Sequence, residues 1–131
     1  MDREIGVLPY RKHKNRLEVV LVTTRRRKYW IFPKGQTEKH KTASEVAQLE
    51  AFEEAGVTGN VKKSNNKKFR IRRGGRKVEM RVFPMKLDEV LPKWPEDDER
   101  ERVVVSVEEA LKMIKGKSLR KCVKQMLRNA A

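Results

Sequence analysis

Three glutamates, Glu50, Glu53 and Glu54, stand at positions i, i+3 and i+4. On a helix these positions are neighbours on one face, and three like charges held that close repel one another. A hard divalent cation removes the repulsion and takes carboxylate oxygens as ligands. The row Ala43, Ala47, Glu50 and Glu54 sharpens the point, because it starts apolar and becomes acidic. Carboxylates that continue a buried row need a partner, since a buried unpaired charge is costly. A solvated acidic face, the commonest source of clustered glutamates, fits this row poorly.

The elements that must position these side chains carry their own signals. Thr42 followed by Glu45 forms a capping box at a helix start, and Gly56 stands where a left-handed C-terminal cap is wanted. The spacing predicts a helix over 42–55. A short strand over 29–32, ended by Pro33, leads into a glycine-containing loop, Lys34-Gly35, that precedes the helix.

This loop and helix resemble the Nudix box: a glycine, five residues, Glu, seven residues, Arg-Glu, an apolar residue, any residue, Glu-Glu, any residue, Gly and an apolar residue. Gly35, Glu50, Ala51, Glu53, Glu54, Gly56 and Val57 fall on it in register. Lys41 stands in place of the first Glu and Leu49 in place of the Arg. The family's supporting ion pair is therefore missing, while the acidic positions are kept. Tyr29-Trp30-Ile31-Phe32-Pro33-Lys34-Gly35, Trp94-Pro95-Glu96 and Ser106-Val107-Glu108-Glu109-Ala110 look like the branch that hydrolyses diphosphoinositol and diadenosine polyphosphates.

The resemblance implies a fold, a mixed β-sheet sandwiched between helices in α/β/α layers. It implies metal ligands, Glu50, Glu53 and Glu54 with the Gly35 carbonyl. Magnesium is the default ion because it takes oxygen ligands and binds substrate phosphates, with manganese as an alternative. It implies an acid-anhydride hydrolase in which Glu50, Glu53 and Glu54 are catalytic. Glu50 is the expected general base, with Glu96, Asp97, Asp98 and Glu99 as unranked downstream alternatives. Lys34, beside the loop, and Arg70 and Arg72 are expected to bind substrate phosphates.

Composition bounds the partners. Charged residues are 39% of the 131, and 33 Lys and Arg against 18 Asp and Glu leave a net charge of +15. A field of that sign attracts polyanions. Aromatic residues are only 6%, few platforms for stacking single-stranded nucleic acid, which favours a compact polyphosphate. Cys122 is the only cysteine, so no intrachain disulfide forms and a reducing compartment fits. The start has no signal-peptide character, and the longest aliphatic run, 19–22, is far too short to span a bilayer. The expectation is a soluble cytoplasmic protein, one domain over 1–131, with no membrane association and no obligate protein partner.

Along the chain, 4–9 reads as a short strand, 11–16 as a basic loop and 17–24 as a strand whose unbroken apolar run suggests burial on both faces. Residues 25–28 form a second basic loop. Between 61 and 78 there are nine basic residues and no acid, split by Gly74-Gly75, a hairpin turn. On the far arm Val78, Met80 and Val82 point one way, Glu79 and Arg81 the other. Residues 91–95 form a loop, 96–99 an acidic patch and 102–105 the last strand. Ser106 with Glu109 starts one helix, Gly116 breaks it, and Ser118 starts another. Trp30 is read as core and Trp94 as a residue of the site mouth. His13 and His40 are read as solvated, and Cys122 as core.

Three functions compete at this level. One is a metal-dependent pyrophosphohydrolase acting on diphosphoinositol or diadenosine polyphosphates. Another removes pyrophosphate from the 5′ end of RNA. The third is a non-catalytic polyanion-binding domain, suggested by Lys41 and Leu49.

Overall fold

The computed structural model describes residues 1–27 and 29–128. Lys28, the last residue of the second basic run, lies outside the described residues. The strands are β1 (Asp2–His13), β2 (Arg16–Thr23), β3 (Trp30–Ile31), β4 (Lys34–Gln36), β5 (Val57–Val61), β6 (Lys67–Arg73), β7 (Arg76–Val90) and β8 (Arg102–Ser106). The helices are α1 (Ala43–Ala55), α2 (Val107–Met113) and α3 (Lys117–Leu127). Among the described residues all eight strands belong to one mixed sheet.

Its centre is the parallel pair β1 and β7, in register from Asp2 opposite Val78 to Tyr10 opposite Lys86. The outer edge of each central strand has two successive partners. β1 pairs with β4 at residues 4–6 and with β2 at 10–13. β7 pairs with β6 at residues 76–82 and with β5 from Met85 to Val90. Pro9 and Pro84 fall in the two gaps where one outer neighbour gives way to the next. A proline cannot donate to a ladder, and these are the places in a central strand where no outer ladder requires a donor.

The sheet is covered on both faces. On β2, Val19 and Leu21 belong to the cluster with Ile114, Cys122, Val123, Met126 and Leu127 of the C-terminal helices and their flank. Val20 and Val22 belong to the cluster with Val46, Ala47, Ala51 and Ala55 of α1. The unbroken apolar run is thus buried on both sides, and the α/β/α expectation holds. Val78, Met80 and Val82 are buried as the alternation requires.

Several local readings are corrected. β1 runs to His13, so Arg11 and Lys12 sit on a strand; Lys14 and Asn15, both at positive φ (50° and 63°), make the tight turn into β2. β5 was not anticipated, because Gly59 interrupts it. There the ladder shifts register, and a Cβ would meet the Lys86 carbonyl oxygen at 2.3 Å. α3 starts at Lys117 with Gly116 as its cap, and Ser118 makes no capping bond. Ser106 does cap α2, accepting from the Glu109 N–H at 3.1 Å. No helix among the described residues is long and apolar enough to cross a membrane.

Candidate active site

Helix α1 is fixed at both ends. Thr42 and Glu45 form the reciprocal capping box, with bonds of 3.2 Å and 2.8 Å. Gly56 ends the helix at φ 62°, and its N–H donates to the Phe52 carbonyl at 3.0 Å. A Cβ on Gly56 would lie 2.6 Å from Trp94 Cβ, so only glycine meets both the dihedral and the packing. Arg102 stacks 4.0 Å over the Trp94 ring and donates to the carbonyls of Ala55 (2.9 Å) and Leu91 (2.8 Å). A guanidinium at a helix C-terminus satisfies carbonyls that the helix leaves open. Trp94 is therefore a clamp on the helix end, and it does not line the cleft, contrary to its reading as a mouth residue.

The cleft beside this helix has a volume of about 930 Å³. Its lining includes the acids Glu4, Glu50, Glu54 and Glu96, the bases Lys34, Arg72, Arg73, Arg100 and Lys115, and Gly35, Tyr29 and Trp30. Trp30 packs on the core as expected and also lines the cleft. Tyr29 is 58% exposed. Of the expected substrate-binding residues, Lys34 and Arg72 are in the cleft. Arg70 is not: it lines a smaller cavity with Met1, Ile71, Arg72, Lys77 and Ser118.

Glu54 is buried, and both its oxygens are held from outside its helix. Oε1 accepts the Lys34 backbone N–H at 3.2 Å, and Oε2 lies 3.4 Å from Nη2 of Arg100. Arg100, also buried, donates from Nε to Glu96 Oε1 at 2.7 Å and from Nη1 to the Thr23 carbonyl at 3.0 Å. The Glu96 N–H donates to the Glu53 carbonyl at 3.1 Å, so this segment is docked on α1. Among the four downstream acids the structure thus singles out Glu96. Asp97 accepts the Trp94 N–H at 3.1 Å, and Glu99 lies 3.9 Å from Arg25.

Gly35, read from the sequence as a loop residue, lies on β4 opposite Ile5, and Glu50 packs directly on it. A Cβ at Gly35 would sit 2.3 Å from Glu50 Oε2, so the missing side chain makes the space the carboxylate uses. Burial pushes the Glu50 carboxyl up to about 7, reinforced by Glu54, Glu53 and Glu96. Burial likewise raises Glu54 to about 7, against the opposing pull of Arg100 and of the Lys34 N–H. Two carboxylates that burial discourages from ionising, facing a backbone brought close by a glycine, fit a hard cation. Glu53 is half-buried and is not among the cleft-lining residues. Among the described residues, no three His, Cys, Asp or Glu side chains alone converge on one cation position. Glu50 and Glu54 are thus the side chains the cleft offers. The Gly35 carbonyl, Glu53, waters and substrate phosphates are available for the remaining positions.

Two residues escaped the sequence reading. Glu4, buried on β1, accepts two bonds from Arg73 Nη1 (2.8 and 2.9 Å) and lies 3.5 Å from Lys34 Nζ. Arg100 sits in a run of charges that looks solvated. Its only local signal is Glu96 four residues earlier. Lys41 is exposed, 3.9 Å from Glu38, and Leu49 is half-buried; neither enters the cleft.

The NUDIX domain model matches residues 2–126, and the chain belongs to that family. It is 35% identical over 114 residues to Nudix hydrolase 17, mitochondrial, of Arabidopsis thaliana, covering 81% of this chain and 63% of that protein. It is 32% identical over 144 residues to Nudix hydrolase 12, mitochondrial, of the same plant, covering 94% and 71%. The chain therefore spans about two thirds of the length of these relatives. The crystal structure of C. elegans Ap4A hydrolase superposes with a TM-score of 0.82 at 18% identity, covering 100% of this chain and 99% of that one. A Nudix hydrolase from Nitrosomonas europaea gives 0.72 at 14% identity, covering 95% and 86%. At such identities the likeness concerns the fold alone.

Proposed function

We propose that this chain is a divalent-cation-dependent pyrophosphohydrolase that opens a phosphoanhydride bond in a highly phosphorylated small molecule, a diadenosine polyphosphate ahead of a diphosphoinositol polyphosphate. The observation that carries the reading is one cleft lined both by Gly35, Glu50, Glu54 and Glu96 and by the cations Lys34, Arg72, Arg73 and Lys115. Exposed Tyr29 beside Trp30 offers a surface for a nucleobase, which an inositol lacks.

Glu50 and Glu54, with Gly35 and Glu53, would hold magnesium, with manganese as a substitute. Bound there, the ion lowers the pKa of its water and offsets phosphate charge. Glu50 or Glu96 takes the proton from the attacking water, and Lys34 with Arg72 stabilises charge on the departing phosphate. With Cys122 the sole cysteine no intrachain disulfide forms, which suits a reducing compartment such as the cytoplasm. We read the chain as acting through one domain over 1–131.

The test is phosphate release, with and without Mg²⁺, from a nucleoside diphosphate, diadenosine tetraphosphate, an inositol pyrophosphate and 5′-triphosphorylated RNA. Turnover of diadenosine tetraphosphate well above the others, lost in Glu54→Gln, is expected. Turnover unchanged in both Glu54→Gln and Glu50→Gln would overturn the site assignment, and preference for the RNA would overturn the substrate.

A further inference from the structure

The strand register divides the charges of the hairpin between the two faces of the sheet. Phe69 and Ile71 of β6 and Val78, Met80 and Val82 of β7 pack on the side that α3 covers. Side chains alternate along a strand, so Lys68, Arg70, Glu79 and Arg81 face the side that α1 covers. Arg3 lies opposite Glu79 in the ladder, two residues from Ile5 of the α1-side cluster, and faces the same way. Arg3, Lys68, Glu79 and Arg81 line a cavity of about 250 Å³, together with Thr37 and Ala43 before and at the start of α1. Among the described residues only Glu4 lines both this cavity and the cleft, and its carboxylate is held by Arg73 and Lys34. The cavity is therefore a second site, across β1 from that carboxylate.

The charges around this cavity do not balance. Lys68 lies directly opposite Arg81, and like charges across a ladder destabilise it. The carboxylate that faces them, Glu79, is shared. Its Oε1 lies 4.0 Å from Nε of Arg3 and 4.0 Å from Nζ of Lys68, and Arg70 is directly across the ladder from it. Arg81 is half-buried, and its Nη1 donates to the side-chain oxygen of Asn66, which carries no charge. Among the described residues Arg81 has no acidic partner within 4.0 Å. Three cations against one carboxylate leave two positive charges uncompensated in the cavity. A half-buried charge without a counter-charge is costly.

We propose that this cavity is a second anion site, separate from the cleft, that takes one inorganic phosphate ion. Two uncompensated positive charges match a phosphate dianion, whereas a carboxylate balances only one of them. The guanidinium groups of Arg3 and Arg81 present paired donors that suit phosphate oxygens. The cavity is lined by no aromatic side chain on which a base could stack. At about 250 Å³ it also falls below the range of about 300–1,000 Å³ that suits larger organic ligands. A phosphate bound there bridges the strand side chains and the segment that starts α1, and so stabilises the folded chain. The site is independent of the hydrolase reading, and its test needs no turnover.

Cation-free protein is titrated with inorganic phosphate at about pH 8, where phosphate is largely dianionic, and the backbone amides of Thr37, Ala43 and Arg81 are followed by NMR at constant ionic strength. Saturable shifts at these amides are expected, together with a rise in melting temperature. Arg3→Gln/Lys68→Gln removes two exposed cations of the cavity and should weaken this binding by ~10-fold or more. Arg81→Gln should do the same. Arg72→Gln/Lys115→Gln removes equal charge from the cleft and should leave the affinity read at these amides within about 2-fold of wild type. Acetate should bind more weakly than phosphate. The exposed double variant keeps the test valid if Arg81→Gln, which loses the bond to Asn66, folds poorly. Shifts confined to cleft residues, equal losses in the two double variants, acetate binding as tightly as phosphate, or no saturable shift would each overturn the proposal.

Discussion

Nη2 of Arg100 lies 3.4 Å from Oε2 of Glu54, and both residues are buried. The same guanidinium holds Glu96 and the Thr23 carbonyl. Glu54 is therefore oriented from the far side of its helix by a residue outside the box. This is the support that Leu49 and Lys41 do not give. The charge count is also informative: three carboxylates, Glu50, Glu54 and Glu96, against one guanidinium suit a single divalent cation.

Arg100→Lys keeps the charge but has no planar fork to serve three acceptors at once. It should fold and should lower kcat by about 100-fold, the scale of a 1 Å misplacement of reacting groups, with little change in KM. Arg100→Ala leaves buried Glu54 and half-buried Glu96 without their guanidinium and should cost roughly 3 kcal/mol of stability. Added guanidinium should restore part of its activity. Wild-type kcat in Arg100→Lys would show that Arg100 only packs.

The pH dependence of stability follows from Glu50 and Glu54, both raised to about 7 by burial. A carboxyl whose folded pKa lies above its unfolded value favours folding in the protonated form. That contribution is fully present below the unfolded value and is lost as pH rises through the folded one. Cation-free protein should lose melting temperature from about pH 4.5 to above pH 7, more steeply than Glu50→Gln/Glu54→Gln. Mg²⁺ binds the ionised forms and should raise the melting temperature more at about pH 8 than at about pH 5.5. Thermal melts with and without Mg²⁺ decide it; equal stabilisation at both pH values would place the ion elsewhere.

What was legible in the sequence depended on the range of each signal. The capping box, Gly56 and the Gly74-Gly75 turn are written within a few residues and were read correctly. The two-sided burial of 19–22 follows from an unbroken apolar run. The site's supports are not local. Glu4 meets Arg73 across 69 positions, and Arg100 meets Thr23 across 77; no periodicity carries such pairings. The tryptophans illustrate the same limit. Trp94, in a proline-flanked loop, reads as a residue of the site mouth, yet the Gly56 backbone leaves a bare surface that its ring covers. Arg70 and Arg72 read alike in sequence, and only the place of each along β6 puts one in the cleft and the other outside it.

Arg72 and Arg73 are adjacent and chemically identical, and the structure gives them different tasks. Arg73 holds both oxygens of Glu4, whose residue surface is only 8% exposed. Arg73→Gln removes the main partner of a buried carboxylate and should cost roughly 3 kcal/mol, lowering the melting temperature. Lys34, left as the remaining cation near Glu4, would be held by that carboxylate and less free to meet a substrate phosphate, so kcat should fall as well. Arg72 is exposed, lines the cleft and has no acidic partner within 4.0 Å. Arg72→Gln should change stability by less than about 0.5 kcal/mol. Its effect should appear in KM, larger for diadenosine tetraphosphate than for a nucleoside diphosphate, because the longer bridge carries more charge. Added salt should shrink the difference from wild type, since exposed charges act through a field screened over ~8 Å at physiological ionic strength. Melting curves and steady-state kinetics of the two single variants separate the roles. Two variants with the same melting temperature and the same KM would mean that the hairpin's charges act only as a diffuse field.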